Sequence, residues 1–335
     1  MAKLQETAQV GKREHILDVI SIVDAKETPF TSMAGKKFVP QNSLVEWQAD
    51  NYPAPDYRGN LETADASVFE NAEAGKAMLQ GRIQIFERRP MVGRLAENVS
   101  DVAGQGKKKA FAKSVAKSLT MVKRDMESRF LSDQESAAEV GEVPYGTRGL
   151  GKWLQNGAQS DLPVPTAYRT PSASISTTAT TSLTEADVNT MMQSNWDQTG
   201  VATTLSLFCG TALKKRFSSF TQTQFGSTNV ASSVRIFTES QDSRKLTASI
   251  DIYEGDFGTL ELILDAFLAN DTTTAAVRAA RGYGVDMEQV QIGFHTAPHN
   301  KPLPDLGGGP RSLVEAIACL CYQNPLKGIK FAATS

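Results

Sequence analysis

The sequence predicts an α+β fold, because helical and strand patterns are interleaved along it without a repeating strand–helix–strand order. The longest helical pattern lies between Lys107 and Leu131, where apolar residues recur every three or four positions. The clearest strand patterns lie at residues 246–252 and 259–264, which alternate in polarity on either side of a turn. With 335 residues, the chain can bury one large core or two modest ones.

The composition argues against several functional classes. Lys and Arg number 35 and Asp and Glu number 37, so the net charge of −2 argues against a dedicated nucleic-acid binder. No apolar run approaches the ~20 residues that span a membrane, and the first residues lack the apolar part of a secretory signal. We therefore expect no membrane partner and no signal segment.

Residues 1–38 are predicted to form an N-terminal arm with one amphipathic helix. Its apolar stripe follows helical spacing and consists of Ile16, Val19, Ile20 and Val23. Pro29 biases Thr28 toward extended geometry, so the helix should end at about residue 26 or 27. The stripe needs a surface to pack against, either on its own domain or on a neighbouring copy of the chain.

Residues 39–86 are predicted to form a long extended hairpin. A first strand contains Glu46 and Trp47, and a returning strand runs to residue 86, with Ile83 and Ile85 alternating with polar neighbours. Some thirty weakly patterned residues lie between the two. Such a long connection is uncommon inside a compact domain and usually has a function.

Residues 87–183 contain the strongest periodic signal. The apolar stripe of a long helix, placed at about residues 107–136, consists of Phe111, Val115, Leu119, Val122, Met126 and Phe130. A helix of this length measures ~45 Å, which is long for a globular enzyme. Turn-forming residues follow it, and residues 172–182 are low in complexity and are predicted to be a loop.

Residues 184–335 are predicted to form a second unit in which helices and strands alternate. Thr184 and Asp187 form a capping box at the start of a helix, and Gly200 lies where that helix should end. A strand, a short helix, and a hairpin turning at residues 255–258 follow, and then a strand that contains Val290. One strand of this unit could return to the preceding one.

Candidate chemical sites find little support in the sequence. His295 and His299 have metal-like spacing, but no flanking ligands accompany them, so they are expected to be surface-loop residues without a metal. Asp256-Phe-Gly258 has no other kinase motif near it and is predicted to be a hairpin turn. Cys319 and Cys321 should be reduced, buried thiols that point the same way. No cofactor is expected.

Positive charge is concentrated in residues 82–129, where twelve Lys and Arg residues against five Asp and Glu give a net charge of +7. Arg82, Arg88 and Arg89 open this segment. Such a run is usually a solvated helix face. It could also contact acidic surfaces of neighbouring copies, or bind DNA phosphates weakly and without sequence preference.

Four features together resemble the major capsid proteins of tailed phages. They are the Asp18-Val-Ile20 and Glu27-Thr-Pro-Phe30 motifs of the arm, the Glu46-Trp47 pair, the long helix after the hairpin, and the Gly149-Leu-Gly-Lys-Trp-Leu154 turn. The resemblance implies the Hong Kong 97-like fold, with an N-terminal arm (1–38), an extended loop (39–86), a peripheral domain with a spine helix (87–183) and an axial domain (184–335).

The resemblance also implies a structural protein and not an enzyme. It implies a virion subunit, assembled in the host cytoplasm into hexamers and pentamers of an icosahedral head around double-stranded DNA, with portal, scaffold or decoration proteins as partners. The self-assembly residues would be Ile16, Val19, Ile20, Val23, Pro29, Phe30, Glu46, Trp47, Arg82, Arg88 and Arg89. The alternatives are a cellular nanocompartment shell of the same fold and a soluble α+β enzyme.

Overall fold

The computed structural model describes residues 27–36, 38–63, 75–98, 110–220, 222–225, 232–235, 251–269 and 274–333, together with Asp65, Phe69 and Asn71. The predicted arm helix, with Ile16, Val19, Ile20 and Val23, lies outside these residues. So does most of the strand predicted at residues 246–252.

The elements are numbered in chain order. The helices are α1 (Pro29–Met33), α2 (Arg94–Asn98), α3 (Ala110–Phe130), α4 (Leu150–Trp153), α5 (Glu185–Thr199), α6 (Thr211–Ser219) and α7 (Ala275–Ala280). The strands are β1 (Leu44–Ala49), β2 (Ala77–Arg82), β3 (Gln84–Arg88), β4 (Ile175–Ser176), β5 (Thr203–Cys209), β6 (Gln222–Phe225), β7 (Ser232–Arg235), β8 (Ile252–Gly255), β9 (Gly258–Leu264), β10 (Gly282–Val285), β11 (Val290–Leu303), β12 (Arg311–Tyr322) and β13 (Ile329–Phe331).

The hairpin of β1 and β2 is antiparallel, with Leu44 opposite Arg82 and Ala49 opposite Ala77. The sequence predicted one returning strand as far as residue 86, and that prediction was wrong. The chain leaves β1 at Ile83, whose amide donates to the carbonyl of Ser43 (3.1 Å), and β3 then pairs with β12 in a different sheet. The buried positions are Leu79 and Gly81 on β2 but Phe86 on β3, so the buried face changes phase where the chain changes partner.

α3 ends six residues before the predicted end at 136. In a longer helix, the carbonyls of Ser132 and Gln134 would accept amides one turn further along. Here they accept the amides of Gly151 and Gly149 instead, each at 3.0 Å. Added Cβ atoms at these glycines would overlap the Ser132 carbonyl and the Asp133 carboxylate, so the close approach of this turn requires glycine.

The first core lies between α3 and a three-stranded antiparallel sheet in the order β11-β12-β3. The buried face of α3 presents Val122, Met126 and Phe130 to this sheet, as the stripe predicted. Cys319 and Cys321 lie on β12 with their sulfur atoms 3.7 Å apart, so both are buried thiols that point the same way, as predicted. His295 and His299 lie on β11, not in a surface loop as predicted, and the Nδ1 of His295 is 2.9 Å from the Pro40 carbonyl oxygen.

The second core surrounds a six-stranded mixed sheet in the order β4-β13-β10-β5-β9-β8. β5 and β9 are parallel, as are β4 and β13, and the remaining pairs are antiparallel. Val188 and Met191 of α5 and Phe217 of α6 are buried against it. The loop predicted at residues 172–182 therefore contributes an edge strand, β4, because its backbone pairs with β13.

Local signals set the boundaries of α5 and of the β8–β9 hairpin. Thr184 accepts the Asp187 amide (3.2 Å) while the Asp187 carboxylate accepts the Thr184 amide (2.8 Å), which is the predicted capping box. Gly200 ends α5 with φ of 67°, in the left-handed region. Gly255 pairs with Gly258 across the predicted turn.

A substitution in the capping box tests whether these local residues stabilise the start of α5. Replacing the cap by Thr184→Ala should lower the free energy of unfolding by about 1 kcal/mol, because the Asp187 backbone amide at the start of α5 loses its acceptor. Urea unfolding of the unassembled subunit measures this. Thr190→Ala, at an exposed position of the same helix, is the matched control and should be close to neutral. Equal losses in both variants would contradict a capping role.

Candidate assembly surface

The base of the β1–β2 hairpin is fixed to the body of the subunit by an aromatic contact. Trp47 is half-buried, and its ring lies 5.5 Å from that of the fully buried Trp153 on α4. Glu46, its neighbour, points to the other face, where its carboxylate accepts a hydrogen bond from the Gln80 side chain of β2. The predicted Glu46-Trp47 pair thus holds the hairpin together and docks it on its own subunit.

The second fixing point of the hairpin is an ion pair at the end of β2. The Arg82 guanidinium donates to both carboxylate oxygens of Asp161, at 2.8 and 3.2 Å. This contact lowers the pKa of Asp161 below its ordinary value and raises that of Arg82. Arg82 was predicted to act between subunits, but its charge is neutralised within the subunit.

Arg148 lies at the centre of this region and was missed in the sequence. Its guanidinium is fully buried, and its Cζ lies 4.5 Å from the centre of the Trp153 ring. It donates to Glu135 Oε1 (2.8 Å) and to the Leu162 carbonyl (2.8 Å), and also to the Asp161 carbonyl. Burial lowers its pKa, while the Glu135 carboxylate opposes that shift.

We call this group the junction cluster. Its members tie the hairpin base to the turn after α3 and are Trp47, Arg82, Glu135, Arg148, Trp153 and Asp161. Because a buried guanidinium can be stable only with its partners in place, the cluster fixes where the hairpin leaves the body. An arginine within a glycine-rich turn gives no sequence signal of such a role.

The other two predicted arginines differ in their surroundings. Arg88 makes a two-point ion pair with Asp125 of α3, at 2.7 and 2.6 Å, which joins β3 to that helix. Arg89 is mostly exposed and pairs with Glu87 on the same strand segment. Of the three, Arg89 is therefore the residue whose charge faces solvent most openly.

The start of the described chain is fixed to α3. Phe30 is fully buried, with its ring 5.2 Å from that of Phe208 and 6.4 Å from that of Phe130. Its amide donates to Glu127 Oε1 at 2.7 Å. Pro29 occupies the first position of α1, where its missing N–H costs nothing. The structure thus places Phe30 in the core of its own subunit.

The connection between β1 and β2 exposes large apolar side chains. Tyr52 is 98% exposed and Tyr57 is 93% exposed, and Leu61 and Phe69 are also mostly exposed. Residues 50–61 form neither helix nor strand. The weak pattern of this stretch did not predict these exposed residues, although three aromatic side chains without any periodicity were the available signal.

A second exposed apolar set lies where β11 turns into β12. It comprises Met91, Leu95, Leu303 and Leu306. The amide of Val92 donates to the Pro310 carbonyl (3.1 Å), and the amide of Arg94 donates to the Gly308 carbonyl (3.3 Å), which brings the start of α2 to this hairpin tip.

The described residues offer no metal centre. No group of three or more His, Cys, Asp or Glu side chains there could hold a metal ion. No helix among those residues has the length and apolar character to cross a membrane. The features that remain are the fixed hairpin base and the exposed apolar side chains.

Comparison with known proteins identifies the family. A model of the SU10 major capsid protein family matches residues 3–335. The chain belongs to this family. A curated relative, the major capsid protein of Escherichia phage Phieco32, is 28% identical over 126 residues, which cover 38% of this chain and 34% of that protein. The match therefore spans about a third of that relative's length.

Solved structures of phage proteins share the fold over nearly the whole chain. A chain from the Cyanophage A-1(L) capsid asymmetric unit has a TM-score of 0.63 and 12% identity, covering 99% of both chains. One from Mycobacterium phage Cain has a TM-score of 0.61 and 11% identity, also over 99% of both chains. One from Mycobacterium phage Ogopogo has a TM-score of 0.60 and 10% identity, covering 99% of this chain and all of that one.

These findings confirm the resemblance seen in the sequence. This SU10-family protein has the α+β, Hong Kong 97-like fold of tailed-phage capsids. It is a structural protein of the phage head, and hence of the virion, and not an enzyme. Family membership favours the phage capsid over both alternatives, the nanocompartment shell and the soluble enzyme.

The buried guanidinium of the junction cluster gives the test for this region. Arg148→Ala should lower the free energy of unfolding by about 3–5 kcal/mol, because the partly buried Glu135 carboxylate and two partly buried carbonyls lose their donor. Arg89→Ala, which removes an exposed ion pair, is the control and should cost about 0–1 kcal/mol. Thermal and urea unfolding measure both, and similar losses would contradict the central role of Arg148.

Proposed function

We propose that this chain is the shell subunit that self-assembles into hexamers and pentamers of an icosahedral head enclosing double-stranded DNA. In this arrangement, residues 1–38 are the arm, residues 39–86 the extended loop, residues 87–183 the peripheral domain with α3 as its spine helix, and residues 184–335 the axial domain. The proposal rests on the family and on the exposed side chains between β1 and β2.

The exposed loop is the observation that carries the proposal. Tyr52, Tyr57 and Leu61 lie in a segment without helix or strand and are almost fully exposed in the single subunit. Burying each such side chain is worth roughly 1.5–3 kcal/mol. A neighbouring copy of the chain would bury them, whereas the described residues of the subunit leave them exposed. The loop therefore fits the part of the capsid fold that overlaps the adjacent subunit.

The junction cluster supports the same proposal. A loop can bind a neighbour with little loss of entropy only if its base is held in one orientation. Trp47 and Arg82 hold that base at two points. Arg88 fixes β3 to α3, so the strand that continues from the hairpin is held as well. These residues would act in self-assembly by positioning the loop, and not by contacting the neighbour.

The basic segment supports weak contacts with DNA or with acidic surfaces of neighbours. Arg82 and Arg88 are neutralised within the subunit, but Lys117 and Lys123 are exposed on α3. Exposed lysines bind phosphates through charge alone, without sequence preference. Portal, scaffold or decoration proteins would bind other surfaces of the subunit. A neighbouring copy of the chain could cover the exposed apolar set that includes Met91 and Leu306.

The exposed loop can be tested without disturbing the fold. The double variant Tyr57→Ser/Leu61→Ser should unfold like the unaltered subunit, because both side chains are exposed. Its critical concentration for assembly should rise at least about tenfold, since a loss of 1.4 kcal/mol already corresponds to that factor. Light scattering and sedimentation measure the assembly. Asn60→Ser, an exposed polar position in the same loop, is the matched control. Unchanged assembly of the double variant would refute the overlap.

The arm can be tested by two truncations that differ by four residues. Removing residues 1–26 leaves α1 and Phe30 in place, so the subunit should stay folded while assembly is impaired through loss of the Ile16–Val23 stripe. Removing residues 1–30 also deletes the buried Phe30 and should lower stability by about 3–5 kcal/mol. Circular dichroism and sedimentation separate the two effects. Normal assembly after the shorter truncation would place the stripe outside the interface.

A further inference from the structure

The connection between β1 and β2 is acidic as well as apolar. Residues 50–75 carry six Asp and Glu side chains against one Arg, which gives a net charge of −5. Asp50, Asp56, Glu62 and Asp65 are exposed, and none of them forms an ion pair with another of the described residues. The segment, which we call the acidic loop, therefore presents negative charge beside its exposed aromatic rings.

α3 carries the opposite charge on its outer side. Between residues 107 and 124 the sequence has seven Lys and Arg side chains and no Asp or Glu. Lys113 and Lys117 lie one turn apart, on the side of α3 opposite to the buried Val122 and Met126. Lys117 is exposed and Lys113 is partly exposed, and neither pairs with a carboxylate of the described residues. We call this side the basic face.

Apolar surface adjoins the start of the basic face. Glu97 of α2 accepts the Phe111 amide at 2.9 Å, which holds α2 against the first turn of α3. Leu95 of α2 is 80% exposed. Lysine stems are also apolar, and aromatic rings can pack on them with a ring face toward the ammonium group. This surface therefore fits a partner that carries both carboxylates and exposed aromatic rings.

The acidic loop is long enough to reach a different subunit. Tyr52 and Tyr57 are almost fully exposed, so this part of the loop does not lie on the α3 of its own chain. An extended chain advances at most ~3.5 Å per residue, so the thirteen residues from Ala49 to Glu62 can span ~45 Å. The 21 residues of α3 measure only ~32 Å.

We propose that the acidic loop of one copy docks on the basic face of a neighbouring copy, with ion pairs between its carboxylates and Lys113 and Lys117. The inference rests on the proposed shell function and names the surface that the loop binds. The loop and the helix are different parts of one chain, so the contact is head-to-tail and can close into a ring. The paired charges select the surface that the aromatic rings then cover.

Charge-reversed variants of the full chain test the proposal. Glu62→Lys/Asp65→Lys and Lys113→Glu/Lys117→Glu each replace attraction by repulsion, so each should raise the critical concentration for assembly about tenfold. A chain with all four substitutions pairs the charges again in the opposite sense, and its critical concentration should return to within about threefold of the original. Light scattering and sedimentation measure assembly, and urea unfolding verifies that each subunit is folded.

The matched control is Glu139→Lys/Glu142→Lys, which changes the net charge equally at exposed positions outside the loop and should leave assembly unchanged. Combined with Lys113→Glu/Lys117→Glu, it restores the net charge but not the contact, so that chain should stay impaired. Equal rescue in the two combined chains would overturn the proposal, because net charge alone would explain it. Failure of the unaltered chain to assemble would contradict the proposed shell function, and this inference with it.

Cross-linking by a carbodiimide decides where a variant does not fold, because it joins carboxylates to lysines that are in direct contact. In shells of the unaltered chain, mass spectrometry should find the acidic loop linked to Lys113 or Lys117, and the unassembled subunit should lack this product. Its absence from the shells would overturn the proposal. Normal assembly of Lys113→Glu/Lys117→Glu with reduced retention of DNA would also overturn it, because DNA would then be the partner of the basic face.

Discussion

The position of the extended hairpin depends on the buried guanidinium of Arg148. A guanidinium without access to water is stable only when fixed hydrogen-bond acceptors surround it, so these acceptors must fold around it together. Those partners come from the turn after α3 and from residues 161–162, and Trp153 carries the contact onward to Trp47 of β1. One side chain thus couples the end of α3, the glycine turn and the loop that leaves the subunit.

The sequence predicted elements whose signals are local. The capping box of α5, the stripe of α3 and the β8–β9 turn are set by residues a few positions apart, and each has the predicted geometry. The division of residues 77–88 into two strands was not predictable in this way. β2 pairs with β1 but β3 pairs with β12, more than 200 positions further along the chain, and no local pattern identifies so distant a partner.

The candidate assembly surface was predicted only in part, because its contacts also join residues that are distant in the sequence. Counting charges identified a basic segment, but it could not identify the acids that neutralise it. Asp125 lies 37 positions from Arg88, and Asp161 lies 79 positions from Arg82. Only the folded chain brings these groups together. The same limit applies to Glu127. In the sequence it is one of five acidic residues of the basic segment, whereas in the structure it accepts the backbone amides that attach α1.

The two attachments share a physical design. At each, a buried charged or polar group, Arg148 or Glu127, is held by hydrogen bonds to backbone groups, and apolar rings exclude water around it. Beyond one attachment lies a loop with Tyr52 and Tyr57 exposed. A subunit that must fold before it meets its neighbours needs strong contacts at the base of such a segment and few beyond it. The chain meets this requirement by placing its buried polar groups at the base and its apolar side chains at the exposed end.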